Sequence, residues 1–385
     1  MTMINSRIMS KTKNNTMRRA VIFCNSDAYA NSVKPKELER YLSKSGYRVD
    51  LFETAAIGRM SHVGIGRVLP KLNLMCFTLF MYEALNTIVQ HEIVARLKSR
   101  IISYVTPKII ILRGKVIYKV LSGQKIDVLI CENSMDSGFL LNERIAAVQV
   151  LDLPAPLAEE LKYSSSLTHD GYERLKKLEV ELYGRADYLS FHWHTYSDYV
   201  KKTKYSGSNF IDLNYGTELK AKRARFAKSP KIIFLGFLGG YWVNLALLEK
   251  LCRAYPHIDI YGGPPPTGYL AKHYRGYADN LDILSEYQFG LITISNDPLR
   301  KNSFSSKHLE YISYGLPVLT PDWRYDAKLN ESSIYYNESD FLTKLKEYNE
   351  EMTWRNKSEA AIKLAGELTW DTALSNLGGV IDGAK

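Results

Sequence analysis

Residues 302–321 read NSFSSKHLEYISYGLPVLTP, a stretch that predicts a loop, a short helix, a tight turn and a strand. Ser305 or Ser306 can cap the helix, because a serine oxygen accepts from the free N–H groups of a first helical turn. Apolar residues follow at helical spacing, and Gly315 and Pro317 then end the helix. The run PVLT behind the glycine is apolar and β-branched enough for a buried strand.

The polar residues of this helix form a candidate site for phosphate and ribose. Ser306 and Lys307 come at its start, and Glu310 follows within about one turn, so the three side chains share one edge. A helix N-terminus attracts phosphate, and Lys307 adds a full positive charge there. The carboxylate of Glu310 suits the two hydroxyls of a ribose, which both donate. This edge predicts a bound nucleoside diphosphate; the alternative is a solvated helix in which the glutamate only stabilises the helix dipole.

The composition is that of a globular protein with more than one core. The chain has 385 residues, of which 45% are hydrophobic and 24% charged, and this length fits two ordinary domains. The four cysteines are scattered without metal-ligand spacing, so we expect free thiols in a reducing compartment. They are Cys24, Cys76, Cys131 and Cys252.

The net charge of +10 allows a nucleic acid, an anionic membrane or an acidic substrate as partner. The sequence has no basic-aromatic RNA motif, helix-turn-helix pattern or zinc spacing, so we expect no nucleic-acid partner. No apolar stretch reaches the length of about 18 residues that predicts a membrane span. Residues 1–18 are polar and basic, which predicts a disordered lead-in rather than a signal peptide, and hence a cytoplasmic protein.

After this lead-in the chain alternates between strands and helices, as doubly wound α/β domains do. In such sheets ligands bind at the carboxyl ends of strands, which makes Asn25 and Ser26 second-tier site candidates behind the first strand. Asp152 ends a later strand, where a carboxylate can take a proton from an acceptor hydroxyl. The alternative for Asp152 is a turn-forming or helix-capping role. The glycine fingerprint of a dinucleotide site is absent.

Two further features of this half allow two explanations each. Residues 57–120 either rest on an anionic inner membrane and receive a lipid-linked acceptor, or form ordinary core helices with solvated basic faces. His192 and His194 lie two positions apart on a predicted strand and so share one face. They are second-tier candidates for a donor or acceptor contact, or structural residues; no third ligand in a suitable context completes a metal site.

A basic, polar segment at 220–230 marks the linker to a second α/β unit. Its first strand is followed by Gly236, Gly239 and Gly240, and glycines at a strand-to-helix turn let backbone N–H groups approach a phosphate. The remaining candidates are a glycine that ends the next strand and two second-tier basic contacts for phosphate or an acidic sugar: Gly262, Arg300 and Lys301.

The opening stretch also resembles a known family. Its pattern S-K-x-x-E-Y-x-x-x-G-x-P-V resembles the donor-binding segment of GT-B glycosyltransferases. Many retaining members of glycosyltransferase family 4 carry two glutamates eight positions apart here; Glu310 matches the second, and Asn302 stands in place of the first. The tandem S-S-x-x-x-x-Y-x-x-x-G-L-P is also similar to the bacterial xanthan glucuronosyltransferases, which are inverting GT-B enzymes. The residues that match are Ser306, Lys307, Glu310, Tyr311, Gly315, Pro317 and Val318.

This resemblance implies two Rossmann-like, doubly wound domains that face each other across a cleft. The first, 19–225, would bind the acceptor and be completed by a closing helix at 366–385; the second, 226–365, would bind a nucleotide-sugar. It implies a glycosyltransferase that moves a hexose or uronic acid from a nucleoside-diphosphate donor, with no metal or other cofactor. UDP-sugars are the favoured donors, UDP-glucuronate among them. The glycine turn resembles the donor-phosphate loop, and Asp152 resembles the proposed base of the inverting enzymes.

The implied acceptor is a glycan or lipid-linked sugar of bacterial surface polysaccharide synthesis, made in the cytoplasm or at the inner face of its membrane. In a retaining enzyme no base is needed and Asp152 loses its role. Two other classes stay open: a nucleotide-sugar epimerase or phosphorylase of the same fold, and a non-catalytic scaffold that binds a nucleotide-sugar or glycan. A phosphorylase would need a pyridoxal lysine, and none is identifiable.

Overall fold

The chain forms two parallel sheets, each accompanied by helices. A computed structural model describes residues 17–24, 33–53, 92–164 and 166–382. Within the two sheets every strand runs parallel to its neighbours. The prediction of a doubly wound α/β protein with two such units is therefore confirmed.

The first sheet lies in the N-terminal half. Its strands are β1 (Arg18–Cys24), β2 (Tyr47–Glu53), β3 (Val128–Cys131), β4 (Val148–Leu153) and β5 (Tyr188–Phe191). Its helices are α1 (Val33–Lys44), α2 (Glu92–Leu121), α3 (Leu157–Tyr163), α4 (His169–Arg185) and α5 (His194–Thr203), with a 3₁₀ helix at Ser134–Leu141.

The second sheet lies in the C-terminal half. Its strands are β6 (Ile232–Leu235), β7 (Ile258–Tyr261), β8 (Phe289–Leu291), β9 (Val318–Pro321) and β10 (Ser333–Tyr336). Its α-helices are α6 (Leu245–Ala254), α7 (Pro298–Lys301), α8 (Ser306–Ser313), α9 (Phe341–Tyr348), α10 (Glu351–Glu367), α11 (Trp370–Ala373) and α12 (Ser375–Asp382). Three 3₁₀ helices complete this half: Gly268–Lys272, Leu281–Glu286 and Asn330–Ser332.

The two sheets share one topology. The first has the order β2-β1-β3-β4-β5, and the second, read from its opposite edge, has the matching order β7-β6-β8-β9-β10. In such a sheet the strand order reverses next to the first strand, which is β1 in one sheet and β6 in the other. Ligands bind beyond the carboxyl ends of the strands at this reversal. The topology therefore singles out one carboxyl edge in each half of the chain.

Helices cover both faces of the first sheet, which explains its continuous apolar strands. In β1, Ala20 and Ile22 belong to one buried cluster, whereas Val21 and Phe23 belong to another. This alternation follows from the two-residue period of a strand. Both clusters exclude solvent at these positions, since Ala20, Val21 and Ile22 have no exposed surface. The sheet is thus a rigid support for whatever its carboxyl edge carries.

Helix α2 contains part of the basic region predicted at 57–120 and shows which of its side chains are buried. Its Ile110 is fully buried, and Lys115 stays exposed on the opposite side. Arg113 is also buried and donates through Nε to Asp136 Oδ1 at 2.6 Å. This part of the region is therefore an ordinary core helix with solvated basic residues. Residues 57–91 lie outside the described residues, and none of the described helices is long and apolar enough to cross a membrane.

The end of the chain returns to the first sheet. Asp371 accepts from Arg40 of α1 at 2.6 Å, and the Tyr47 hydroxyl of β2 lies 3.5 Å from the Ile381 carbonyl oxygen. The predicted linker at 220–230 falls between β5 and β6.

Several predicted positions fall on residues that are not described. Most of the predicted lead-in is among them, although β1 already begins at Arg18. Asn25 and Ser26 lie outside the described residues, as does Cys76. The other three cysteines are buried free thiols, as expected.

Candidate functional site

The glycine turn of the second sheet, residues 236–240, follows β6 at the reversal of strand order. The turn packs on the loop after β7: Gly236 N–H donates to Tyr261 O at 3.0 Å, and Leu238 N–H donates to Gly263 O at 2.7 Å. Gly262 has φ of +129°, and a Cβ there would lie 1.8 Å from Gly236 O. A glycine is therefore required at 262 for both its backbone conformation and the close approach of the two loops.

The glycine turn has backbone N–H groups that are free to donate to a ligand. The backbone N–H groups of Gly239 and Gly240 have no acceptor among the residues that the structure describes. Gly240 is buried and Gly239 is exposed, and a turn whose backbone N–H groups lack acceptors can bind an anion. The three predicted glycines Gly236, Gly239 and Gly240 thus lie in one short turn after β6.

Helix α8 presents a second set of free donors. Ser305 is its N-cap residue, but its side chain makes no capping hydrogen bond, so the expected serine cap does not form. The N–H groups of Ser306 and Lys307 likewise have no acceptor within the described ranges. Lys307 Nζ lies 3.1 Å from both carboxylate oxygens of Glu310, and these side chains remain 24% and 21% exposed. The pair sits at the surface beside a helix start that is open to an anion.

Tyr311 of α8 connects this helix to the start of the glycine turn by a hydrogen bond. Its hydroxyl accepts from Leu235 N–H at 2.9 Å, at the last residue of β6, and donates to Leu291 O of β8 at 3.3 Å. Leu235 immediately precedes the glycine turn, and Tyr311 immediately follows Glu310. The structure therefore places the glycine turn and helix α8, which the sequence predicts to bind the nucleotide-sugar, at one edge of the second sheet.

The chain just before α8 is held from two sides. Thr195 of α5 donates to Asn302 O at 2.7 Å, and the Phe304 ring stacks on Trp193 with 4.2 Å between centroids. Arg324, which is fully buried, donates twice to Ser303 O at 3.1 and 2.9 Å. The first domain thus contacts the segment that sets the position of the helix start.

The two basic second-tier candidates differ. Arg300 is buried, and its Nη2 donates to Glu160 Oε2 of α3 at 2.6 Å and to the Tyr241 hydroxyl. Its Nη1 donates to the Tyr196 hydroxyl of α5 at 3.3 Å. Arg300 is therefore already engaged by the first domain, whereas Lys301 stays exposed at the end of α7.

Asp152 lies at the carboxyl edge of the first sheet, as predicted. It is fully buried, and its Oδ2 lies 2.6 Å from Nζ of Lys34 on α1, which is equally buried. Lys34 also donates to Leu213 O. Burial raises the pKa of the Asp152 carboxyl, and the Lys34 charge opposes this rise. A buried carboxylate here depends on its lysine, because an unpaired charge in the interior is strongly disfavoured.

Glu132 and His192 complete this cluster. Glu132 follows β3, His192 follows β5, and Glu132 Oε1 lies 3.1 Å from His192 Nε2. Burial and then the Asp152 charge raise the pKa of Glu132 well above its usual range. Burial and then the Lys34 charge lower the pKa of His192 well below its usual range. Both shifts favour uncharged side chains, and His192 keeps 9% of its side chain exposed.

The prediction that His192 and His194 share one strand face is wrong. Strand β5 ends at Phe191 and α5 begins at His194, so the alternation of a strand does not reach the second histidine. His194 Nε2 instead lies 3.9 Å from Asp326 Oδ1 in the C-terminal half. The two histidines therefore serve different contacts.

The first-sheet cluster also has the composition of a cation site. Glu132, Asp152 and His192 each place a ligand atom within 4.8 Å of the others. Two carboxylates and an imidazole are ordinary ligands of divalent metals. Lys34, however, already places a positive charge 2.6 Å from Asp152, and it would repel a dication. The donor set as it stands fits a lysine better than a metal.

Tyr215 lies between the two carboxyl edges. Its ring packs edge-on to His192 with 5.0 Å between centroids, and its backbone N–H donates to His192 O at 2.9 Å. Burial raises the pKa of its hydroxyl well above the usual range, and the charges of Glu132, Asp152 and Glu310 add to the rise. The Tyr215 ring also lies 6.1 Å, centroid to centroid, from that of Phe304 just before α8, so Tyr215 contacts both edges.

Three residues of this arrangement escape sequence reasoning. Lys34 occurs in a helix with several other lysines, and nothing marks it as the buried one. Glu132 ends a predicted strand, which is a usable signal, but its partner His192 is distant in sequence. Tyr215 is one of 27 tyrosines, and its position follows only from the packing of the two halves.

Comparison with known proteins finds the fold but no sequence relative. No protein-family model matches the chain, and no curated protein matches it in sequence. Among solved structures, sucrose-phosphate synthase from Thermosynechococcus elongatus is similar with a TM-score of 0.64 and 10% identity, covering 95% of this chain and 98% of that one.

Two further structures are similar over almost their whole length. The glycosyltransferase of kitacinnamycin has a TM-score of 0.52 and 12% identity, covering 95% of this chain and 99% of its own. The calicheamicin glycosyltransferase has a TM-score of 0.52 and 10% identity, with coverages of 95% and 98%. With two parallel sheets of matching order and these structural neighbours, the chain has the GT-B fold.

Proposed function

We propose that the chain is a glycosyltransferase that moves a sugar from a nucleoside-diphosphate donor to a glycan or lipid-linked acceptor. The main support is the second carboxyl edge, where a hydrogen bond from Leu235 N–H to the Tyr311 hydroxyl joins the glycine turn to α8, and where both keep backbone N–H groups without an acceptor among the described residues. This edge presents donors suited to a diphosphate, next to a carboxylate suited to a ribose. The similar solved structures named above include two glycosyltransferases.

The charges of the second edge suggest how the donor is cleaved. The negative charge that develops on the departing diphosphate would be met by Lys307, the α8 start and the glycine turn. Glu310 would leave Lys307 and accept from the ribose hydroxyls, while a phosphate oxygen takes its place on the lysine. These groups supply the positive charge without a metal, and we therefore propose metal-independent transfer.

The first edge would act on the acceptor. Asp152 remains a candidate base for an acceptor hydroxyl, but it would have to part from Lys34 to accept the proton. His192 is the second candidate, because its imidazole lies 3.1 Å from Glu132 and burial lowers its pKa, which keeps it neutral. A retaining reaction would need neither group as a base.

The finer assignments rest on the motif at 302–321 and on composition. We propose a UDP-linked donor, with UDP-glucuronate as one candidate, and an acceptor in bacterial surface polysaccharide synthesis. The net charge of +10 suits an acidic substrate or an anionic membrane at the inner face of the cell.

A thermal-shift screen with UDP, GDP, CMP, ADP and TDP, with and without magnesium, tests the donor site. We expect one diphosphate to raise the melting temperature without magnesium, since a ligand at 100 times its Kd stabilises by about 2.7 kcal/mol. The shift should disappear in Glu310→Ala and Lys307→Ala and persist in Lys346→Ala, which changes an exposed lysine of α9. A shift that survives in both site variants would reject this donor site.

Turnover of two isosteric variants separates the candidate bases. If His192 is the base, His192→Gln should lower kcat by about 100-fold or more, with a smaller effect for Asp152→Asn. If Asp152 is the base, the order reverses. Unchanged turnover in both variants would remove the base role from this edge.

A further inference from the structure

Two exposed aromatic rings project from the glycine turn of the second sheet. Phe237 is 56% exposed and Trp242 is 38% exposed, and their ring centroids lie 6.2 Å apart with 34° between the planes. Rings of this size are normally buried, and exposed ones next to polar groups mark binding surfaces. We call this pair the aromatic platform.

The backbone of the turn is shaped to support the platform. A Cβ at Gly240 would lie 2.3 Å from the Trp242 ring, and a Cβ at Gly239 would lie 2.9 Å from the Phe237 ring and 3.2 Å from Pro264. The glycines therefore let both rings lie against the same short turn that offers free N–H groups.

Polar groups border the platform on the side of the first domain. The Arg300 guanidinium lies 5.8 Å from the Trp242 ring centroid, and the rings of Tyr241 and Trp242 are 5.5 Å apart. Glu160 of α3 accepts from both Arg300 and Tyr241, and its side chain keeps 23% of its surface exposed. A guanidinium and a phenol thus lie next to the indole, and both donate to the Glu160 carboxylate.

Resting on the proposed function, we propose that the aromatic platform and Glu160 bind a pyranose ring of the acceptor. A pyranose has a face of C–H groups that packs on aromatic rings and an edge of hydroxyls that donates to a carboxylate. The platform supplies the first and Glu160 the second. Glu160 belongs to the first domain, so a sugar held by both parts spans the cleft beside the reacting donor.

The charge of the site narrows the ligand class. Arg300 lies 2.6 Å from Glu160 and balances its charge, so the border carries no strong net field. A neutral sugar fits this border, because its hydroxyls can donate to Glu160 Oε1 while Oε2 stays with Arg300 and Tyr241, whereas an aliphatic chain would cover the exposed part of this carboxylate without a hydrogen bond. A nucleobase is the other flat group that stacks on indole, and the experiment distinguishes the two.

The test measures sugar binding to the full chain by saturation-transfer NMR, with methyl glucoside, cellobiose, maltose and chitobiose as probes. We expect at least one probe to bind, and binding to fall by about tenfold or more in Trp242→Ala and Phe237→Ala. Trp242→Phe should restore most of the binding, because it keeps a ring. Tyr104→Ala, which removes an exposed ring on α2, is the control and should bind as the wild type does.

Nucleotide binding is measured on the same variants. The rise in melting temperature caused by the best nucleoside diphosphate should persist in Trp242→Ala, and this rise also shows that the variant is folded. If Trp242→Ala melts at the wild-type temperature but the nucleotide no longer raises that temperature, the platform binds a nucleobase. That result would overturn the proposal. The absence of probe binding to the wild type, or equal binding in all variants, would overturn it too. Failure of the donor site would instead show as no nucleotide shift in the wild type.

Discussion

The carboxyl edge of the first sheet buries its charged groups, whereas that of the second sheet leaves them at the surface. Lys34 and Asp152 have no exposed surface, but Lys307 and Glu310 keep about a fifth to a quarter of theirs. Both edges follow the same strand order, so topology alone does not set this difference. The side chains that each strand delivers decide it.

The comparison shows how one topology can support two tasks. Charges in the interior are fixed by their partners, because separating them is strongly unfavourable. Such groups suit a proton relay or a rigid contact, and they contribute to stability. Surface charges and free N–H groups are held less firmly and can exchange partners, which suits a ligand that comes and goes. Under the proposed function, stability and acceptor chemistry would therefore belong to the first edge and donor binding to the second.

The largest effect should come from removing the buried lysine. Lys34→Met leaves Asp152 unpaired and should lower the free energy of unfolding by about 3–5 kcal/mol. The loss should be larger at pH 8 than at pH 5, because an unpaired carboxyl can take a proton at the lower pH. Urea denaturation at both values measures this. Lys34→Met/Asp152→Asn should recover part of the loss; a single variant within about 1 kcal/mol of wild type would show that the pair is not buried in solution.

The next effect concerns the backbone under the second edge. Gly262→Ala meets Gly236 O and requires a φ of +129°, so we expect a loss of about 2–4 kcal/mol. The control is Gly366→Ala in α10, where a Cβ has open space and should stabilise by about 0.5–1 kcal/mol. Equal stability of the two variants, measured by urea denaturation, would contradict the close packing of the two loops.

A smaller effect should appear as a pH dependence in α8. Burial and the Arg324 charge lower the pKa of His308 to about 3, and its Nε2 lies 2.9 Å from Ser332 Oγ. An unfolded histidine binds a proton below about pH 6.5 and the folded one does not, so stability falls as the pH drops through this window. Between pH 7 and pH 5 the loss should be roughly 2 kcal/mol.

The matched variants for this pH effect are His308→Asn and His169→Asn. His308→Asn should reduce the fall in stability between pH 7 and pH 5 but not abolish it, because the buried His192 contributes in the same direction. His169→Asn, at an exposed position, should leave the fall unchanged. Thermal unfolding of the wild type and both variants at four pH values measures this dependence. The same slope in wild type and His308→Asn would show that this histidine is not held neutral by the fold.

The smallest effect on stability should come from the surface pair. Lys307→Ala breaks a partly exposed ion pair, which contributes about 0–1 kcal/mol, so the urea midpoint should hardly move. Nucleotide binding, in contrast, should be lost. A large loss of stability in this variant would mean that the pair is structural and that the two edges do not differ as described.

The sequence predicts the two sheets and the second edge well, for a local reason. Apolar runs bounded by Gly46 or Gly315 define strands and turns within short windows, and Ser306, Lys307 and Glu310 are neighbours on one helix. The predicted serine cap does not form, because the Ser305 side chain accepts no hydrogen bond from the helix start.

The first edge is only partly predictable, for the opposite reason. Asp152 and His192 are candidates from their positions near the ends of predicted strands, but Lys34 and Glu132 come from other elements and nothing in their local sequence marks them as partners. Only the closure of the sheet brings them to Asp152. The pairing of Arg300 with Glu160 escapes sequence reasoning in the same way, because it joins the two domains.

Hydrogen–deuterium exchange of the full chain, with and without the best nucleoside diphosphate, compares the two edges in one experiment. We predict slower exchange in peptides covering 236–243 and 303–310, where the free N–H groups would gain acceptors. Peptides covering 192–197 and 213–217 at the first edge should change much less. Protection confined to the first edge, with the glycine turn and the start of α8 unchanged, would contradict the assignment of donor binding to the second sheet.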